Sequence, residues 1–115
     1  MAAHVMFSYE DLLHTPDDGK RYEIVDGEML VSPSPVPKHQ WVALKLIEFL
    51  LQPHHAGYGQ LWVAPLDVIL DEHNVVEPDL LFIRQDRLHI IHENNVHGAP
   101  DLVVEILSPG GRERD

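Results

Sequence analysis

Cysteine is absent from the 115 residues. Its absence excludes a disulfide scaffold, a thiolate zinc site and a cysteine nucleophile. No apolar run approaches the ~18 residues that a membrane-spanning helix requires. The N-terminal residues 1–10 also lack the basic segment and apolar stretch of a signal peptide. We therefore expect a soluble, cytoplasmic protein that has no membrane partner.

Positive charge is scarce. Eight lysine and arginine residues face 19 aspartate and glutamate residues, which gives a net charge of −11 with the nine histidines neutral. An acidic surface repels nucleic acid and anionic membranes, whereas it is compatible with divalent cations or cationic partners. Hydrophobic residues make up 44% of the chain and charged residues 23%. Because these values and the length are typical of one folded domain, we expect a single domain over residues 1–115.

Turn and helix signals organise the first half of the chain. Ser8 and Asp11 predict a capped short helix over residues 8–13. Asp26-Gly27 stands between two β-prone runs, residues 22–25 and 28–31, and this pattern predicts a tight hairpin. Apolar residues at helical spacing predict a longer helix over residues 37–52, with Ser34 as a plausible cap and with Pro53 and Gly57 ending it.

Three β-prone runs follow, over residues 61–70, 75–83 and 102–107. Pro65 indicates an edge position or a bulge in the first run, because proline cannot donate a ladder hydrogen bond. The element order predicts a mixed α/β (α+β) domain.

Two acidic residues lie within these apolar runs. Asp79 belongs to residues 75–83, and Glu105 belongs to residues 102–107. An ionised carboxylate among branched aliphatic side chains loses hydration, which costs several kcal/mol unless a partner or a metal compensates it. Neighbouring strands lie only ~4.8 Å apart, so Asp79 and Glu105 can converge on one ion. The alternative is that both are ordinary acids at a strand end or an exposed edge.

Asp101 is a weaker candidate for the same site. It shares a face with Glu105, but four residues of strand separate the two by roughly 13 Å, too far for one metal ion.

The histidines suggest one further site residue. His39 stands at the start of the predicted long helix, where it is either an ordinary first-turn residue or a ligand or proton-transfer group. His54 and His55 are adjacent, and His89 and His92 are three residues apart, but neither pair has a third ligand at zinc-site spacing. A histidine-based zinc module therefore stays a minor alternative.

Four segments together resemble the Uma-type restriction endonuclease family of the PD-(D/E)XK nuclease superfamily. They are Tyr22 to Glu28 (YEIVDGE), His39, Glu77-Pro78-Asp79, and Gly98 to Pro109 (GAPDLVVEILSP). The resemblance covers residues 7–115 and implies a restriction-endonuclease-like mixed β-sheet flanked by helices. It also implies that Asp79 and Glu105 bind Mg²⁺ or Mn²⁺ and that His39 belongs to the catalytic site.

The chain departs from this family pattern in two ways. Leu107 stands where the superfamily signature has lysine, and no lysine follows Lys45. The family's following helix and later strand are not found, so the C-terminal part of the fold is expected to be missing. Since lysine would stabilise charge on the attacked phosphate, we expect the isolated chain to be a poor nuclease.

The sequence thus predicts a metal-dependent DNA endonuclease domain. The alternative is a catalytically inactive remnant of the fold that acts as a protein-interaction module. DNA is expected to bind the acidic chain weakly, because basic residues are few, and a homodimer is one possible source of further phosphate contacts. The candidate basic residues are Lys38, Arg84, Arg87, Arg112 and Arg114.

Overall fold

The computed structural model describes residues 5–107 of the chain. In chain order its elements are α1 (Tyr9–Leu12), β1 (Arg21–Val25), β2 (Glu28–Ser32), α2 (Pro37–His55), β3 (Gly59–Val63), β4 (Val68–Asp71), β5 (Asn74–Val76), β6 (Leu80–Arg84), a 3₁₀ helix (Gln85–Ile90), β7 (Val96–His97) and β8 (Leu102–Val104). The architecture is mixed α+β, as predicted from the sequence.

The strands form two sheets. A five-stranded sheet has the order β2-β1-β5-β4-β7, and a three-stranded sheet has the order β3-β6-β8. Only the pairing of β4 with β7 is parallel among the named strands, and the other pairs are antiparallel. Along the described strands the chain changes sheet five times, between β2 and β3, β3 and β4, β5 and β6, β6 and β7, and β7 and β8.

The β1–β2 hairpin confirms the prediction from Asp26-Gly27. Val25 pairs with Glu28 across a two-residue loop. Asp26 and Gly27 have φ angles of 49° and 79°. Positive φ at both loop residues matches the right-handed twist of the flanking strands, and aspartate and glycine tolerate it.

The helix predictions hold with corrections at their ends. Asp11 accepts a hydrogen bond from the Ser8 N–H at 2.8 Å, so the predicted cap of α1 is confirmed. At α2, however, Val36 is the N-cap, and the Ser34 hydroxyl donates to the carbonyl of Gly19 instead. Pro53 lies inside the last turn of α2 and does not end it, because the helix bond from the Ala56 N–H to the Gln52 carbonyl forms beyond it.

The prediction of two long strands, over residues 61–70 and 75–83, was wrong because neither run forms one continuous strand. Each run is divided between the two sheets, with interruptions at residues 64–67 and 77–79. Pro65, joined to Ala64 by a cis peptide bond, lies in the first interruption, and Pro78 lies in the second. Proline cannot donate to a ladder, so both breaks fall where the backbone pairing is weakest.

Two apolar clusters form the core. Ile24, Val75 and Leu12 are buried in one of them, between α1 and the five-stranded sheet. The other lies under the 3₁₀ helix, and its buried residues are Val68, Leu81, Ile83, Ile90 and Val96. In the described residues, no helix is long and apolar enough to cross a membrane.

Candidate active site

Asp79 and Glu105 both lie just beyond the same end of a strand pair. β6 and β8 are antiparallel, and their last pair at this end joins Leu80 to Val104. Asp79 directly precedes Leu80, and Glu105 directly follows Val104. One side chain, the guanidinium of Arg21, contacts both carboxylates. That Asp79 and Glu105 bind one metal ion stays a prediction.

Asp79 is buried, with 5% of its surface exposed, and it is the centre of the contacts. Its Oδ1 atom lies 2.6 Å from Nη2 of Arg21 and 3.1 Å from Nε2 of His39. Its Oδ2 atom accepts a 2.6 Å hydrogen bond from the backbone N–H of Ile106. Burial alone would raise the pKa of Asp79, but these partners together lower it, so the carboxylate is held ionised.

Glu105 does not lie inside a strand, as the sequence predicted. β8 ends at Val104, and the Glu105 side chain is 49% exposed. The strand ends there because the Ile106 N–H bonds to the Asp79 side chain rather than to a neighbouring strand. The desolvation argument was therefore wrong for Glu105, whereas it applies to the buried Asp79.

His39 lies in the first turn of α2, as predicted, with its side chain 14% exposed. Its imidazole points toward Asp79, not toward bulk solvent. Asp101, by contrast, lies at the other end of β8. Its carboxylate accepts from the Arg84 N–H at 2.8 Å and lies 3.0 Å from Nη1 of Arg87, as expected for a residue outside the cluster.

Arg21 is a site residue that the sequence analysis missed. It begins β1, and its guanidinium reaches Asp79 through Nη2 and Glu105 through Nη1, the latter at 3.5 Å. Burial lowers the pKa of Arg21, but the hydrogen bond to Asp79 and the nearby carboxylates raise it overall. The alternation of side chains along β1 could have indicated this position. Ile24 points into the core, so Arg21 and Glu23 lie on the opposite face of the strand.

Three further acidic residues, Glu23, Asp67 and Glu77, lie near the segments where the chain passes from one sheet to the other. Oε2 of Glu23 accepts from the Glu77 N–H at 2.7 Å. Burial, together with the charges of Asp67 and Glu23, raises the pKa of Glu77 to about 7. Burial and Glu23 also raise the pKa of Asp67. These acids surround the site with negative potential, which favours a cation there.

The site borders two cavities. A cleft of about 620 Å³ is lined by Lys20, Arg21, His39 and Glu105, among others. A second depression of about 420 Å³ reaches Asp79 and the inner face of α2. Arg21 and His39 line both cavities, so these two side chains stand between Asp79 and the larger cleft.

The other predicted groups lie elsewhere. His54 accepts the Leu61 N–H through Nδ1, and its ring meets His55 edge-on. His92 stacks on His97 at 4.1 Å rather than meeting His89. Within residues 5–107, no three histidine, aspartate or glutamate side chains are grouped to hold a metal ion. Of the basic residues, Arg84 pairs with Asp86, while Arg112 and Arg114 lie outside the described residues.

The donor set nevertheless suits a magnesium-type ion. Mg²⁺ keeps several waters and binds through one or two carboxylates, so it needs no cage of three protein ligands. Asp79 and Glu105 supply two carboxylates that one guanidinium contacts, and Glu105 lines the open cleft. Arg21 bridges the two carboxylates and places a positive charge between them.

Comparisons with known proteins show a similar fold and a family. A crystal structure described as "a putative nuclease belonging to DUF820 from Anabaena variabilis" has a similar fold, with a TM-score of 0.72 and 19% sequence identity. The match covers 90% of this chain and 60% of that chain. No match was found among curated proteins. The model of the Uma2 family, described as "Putative restriction endonuclease", matches residues 9–115, and the chain therefore belongs to that family.

Proposed function

We propose that the chain is a metal-dependent nuclease domain that hydrolyses phosphodiester bonds in DNA. The observation that carries the proposal is that one guanidinium contacts both the buried Asp79 and Glu105, a residue that lines the cleft. Membership of a restriction endonuclease family supports nuclease chemistry. We infer the DNA substrate and the metal from that membership together with the two carboxylates that Arg21 contacts.

Asp79 and Glu105 would hold the ion, Mg²⁺ or Mn²⁺, which would polarise the phosphodiester and lower the pKa of an attacking water. The two residues are held differently. Asp79 is fixed by the Ile106 N–H on one oxygen, whereas Glu105 is half-exposed at the mouth of the cleft. Asp79 is therefore the rigid ligand, and Glu105 is the ligand that adjusts when the substrate arrives.

His39 has the role of a positioning group in this proposal. Its Nε2 atom lies 3.1 Å from Oδ1 of Asp79, and α2 holds the ring against the site. A proton on Nε2 would orient the carboxylate through a hydrogen bond. Because His39 also lines the cleft, the same nitrogen can face a phosphate oxygen when Asp79 binds the metal ion instead of His39.

DNA binding by this acidic chain must rely on a local positive region, because the net charge is −11. Lys20 and Arg21 are the lysine and arginine that line the cleft, and a bound divalent ion would add positive charge beside the acids that also line it. Arg84 and Arg87 contribute less, since each already pairs with a neighbouring acid. A homodimer would double the available phosphate contacts, and we keep it as part of the proposal.

A plasmid-nicking assay tests the proposal, with the protein in molar excess and with Mg²⁺ or Mn²⁺. We expect slow nicking that EDTA abolishes and that Glu105→Gln lowers by at least about 100-fold. Glu93→Gln is the matched control, because Glu93 is exposed in a turn outside the cleft and undergoes the same chemical change.

Equal nicking by the wild-type chain and Glu105→Gln would contradict the proposed site. Absence of metal-dependent nicking, combined with Mn²⁺ binding that Glu105→Gln weakens, would favour an inactive remnant of the fold. Absence of both activity and metal binding would refute the metal-dependent mechanism.

A further inference from the structure

Arg21 occupies the position between the two proposed metal ligands. Its Nη2 atom lies 2.6 Å from Oδ1 of Asp79, and its Nη1 atom lies 3.5 Å from Oε2 of Glu105. Only 19% of the side chain is exposed. One guanidinium thus contacts both carboxylates from the first residue of β1, 58 positions away from Asp79 in the sequence.

The guanidinium and a metal ion would compete for the same oxygen. Mg²⁺ binds carboxylate oxygens at about 2.0–2.1 Å. Oδ2 of Asp79 is held by the Ile106 N–H, so Oδ1 is the oxygen that faces Arg21 and His39. Arginine remains protonated at any working pH, so it cannot relieve repulsion by losing its charge. A divalent ion on Oδ1 therefore requires the guanidinium to move.

We propose that Arg21 is an exchangeable cation of this site: it neutralises Asp79 and Glu105 without metal, leaves them when a divalent ion binds, and then contacts a DNA phosphate. This inference rests on the proposed function. The contact to Glu105 is the longer one and lies at the exposed side, so it breaks first.

The cleft gives the displaced guanidinium a destination. Arg21 lines both the 620 Å³ cleft and the 420 Å³ depression, so a change of rotamer carries its charge from Asp79 toward the larger space. An arginine there can form two parallel hydrogen bonds with a phosphate. Leu107 also lines this cleft and carries no charge, so Arg21 would provide the cation that lysine provides in the superfamily signature.

Binding experiments on the 115-residue chain test the proposal. Mn²⁺ binding is measured by calorimetry, and binding of a duplex DNA oligonucleotide is measured by fluorescence anisotropy with Ca²⁺ present. We expect Arg21→Gln to bind Mn²⁺ about 10-fold more tightly, because a competing charge is removed, and to bind the oligonucleotide about 10-fold more weakly. Lys45→Gln is the control, since Lys45 also pairs with an acid, Glu48, but lies outside the cleft and the site.

Unchanged or weaker Mn²⁺ binding by Arg21→Gln would overturn the exchange, and unchanged oligonucleotide binding would overturn the phosphate contact. Failure of Glu105→Gln to weaken Mn²⁺ binding would instead refute the proposed function. If Arg21→Gln does not fold, wild-type protein labelled with ¹⁵N on arginine decides the question. The Arg21 guanidinium resonance should shift when Mg²⁺ is added, and an unshifted resonance at saturating Mg²⁺ would refute the exchange.

Discussion

Asp79 and Glu105 should contribute very differently to stability, although both are proposed metal ligands. Asp79→Ala removes the contacts to Arg21, His39 and the Ile106 N–H. Hydrogen bonds to charged groups are worth about 1.5–3 kcal/mol each, and breaking a buried ion pair costs about 3–5 kcal/mol. Arg21 keeps some exposure and a second carboxylate, so we expect a net loss of about 3 kcal/mol.

Glu105→Ala should cost much less. Its side chain is half-exposed and its contact to Arg21 is 3.5 Å long, which places the pair among surface salt bridges worth about 0–1 kcal/mol. Urea unfolding in EDTA, followed by circular dichroism, measures both variants. If Asp79→Ala is too unstable to fold, Asp79→Asn serves in its place, because its amide oxygen can still accept from the Ile106 N–H. Equal losses for the two positions would refute the claim that Asp79 anchors the site.

Three further predictions concern the supporting structure. Gly59→Ala should destabilise the chain by about 3 kcal/mol in urea unfolding, because its Cβ would clash with the carbonyl oxygen of Ile83, a backbone atom that cannot turn away. Ile24→Ala should cost about 2–5 kcal/mol in the same assay, because this side chain is fully buried. Asp67→Asn should raise Tm more at pH 8 than at pH 4. Burial and Glu23 raise the pKa of Asp67 in the folded chain, so the wild type loses stability as pH rises above the ordinary value of 3.8, whereas asparagine does not ionise. A Tm difference that does not grow with pH would contradict this reasoning.

Local signals in the sequence were enough for several features. The Asp26-Gly27 hairpin needs only two residues that tolerate positive φ, and both stand beside β-prone runs. The spacing of apolar residues was enough to predict the long helix, and His39 follows the proline-rich segment at its start. Asp79 was recognisable because a charge within an apolar run must have a partner, and in the fold it has three.

Other features depend on contacts that no local pattern encodes. Residues 61–70 form one continuous β-prone run, yet β3 and β4 belong to different sheets, since the crossover is set by how the sheets pack. Arg21 precedes a run of hairpin residues and looks like an ordinary polar strand start. Its partner Asp79 lies 58 positions away, so only the pairing of β1 with β5 reveals the contact.

The site depends on the segments where the chain passes from one sheet to the other, which the sequence did not predict. At residues 77–79 the chain leaves β5 in one sheet and enters β6 in the other, so Asp79 precedes the ladder that begins at Leu80. Its backbone carbonyl still accepts from the Ala64 N–H at 3.0 Å, which anchors the main chain while the carboxylate points to the site. A slip of one residue between β6 and β8 would turn the side chains of β8 to the other face of the sheet and shift Glu105, the residue after it. The bond from the Ile106 N–H to Asp79 opposes that slip. The carboxylate proposed to bind metal therefore also holds the residue that follows Glu105, the second proposed ligand.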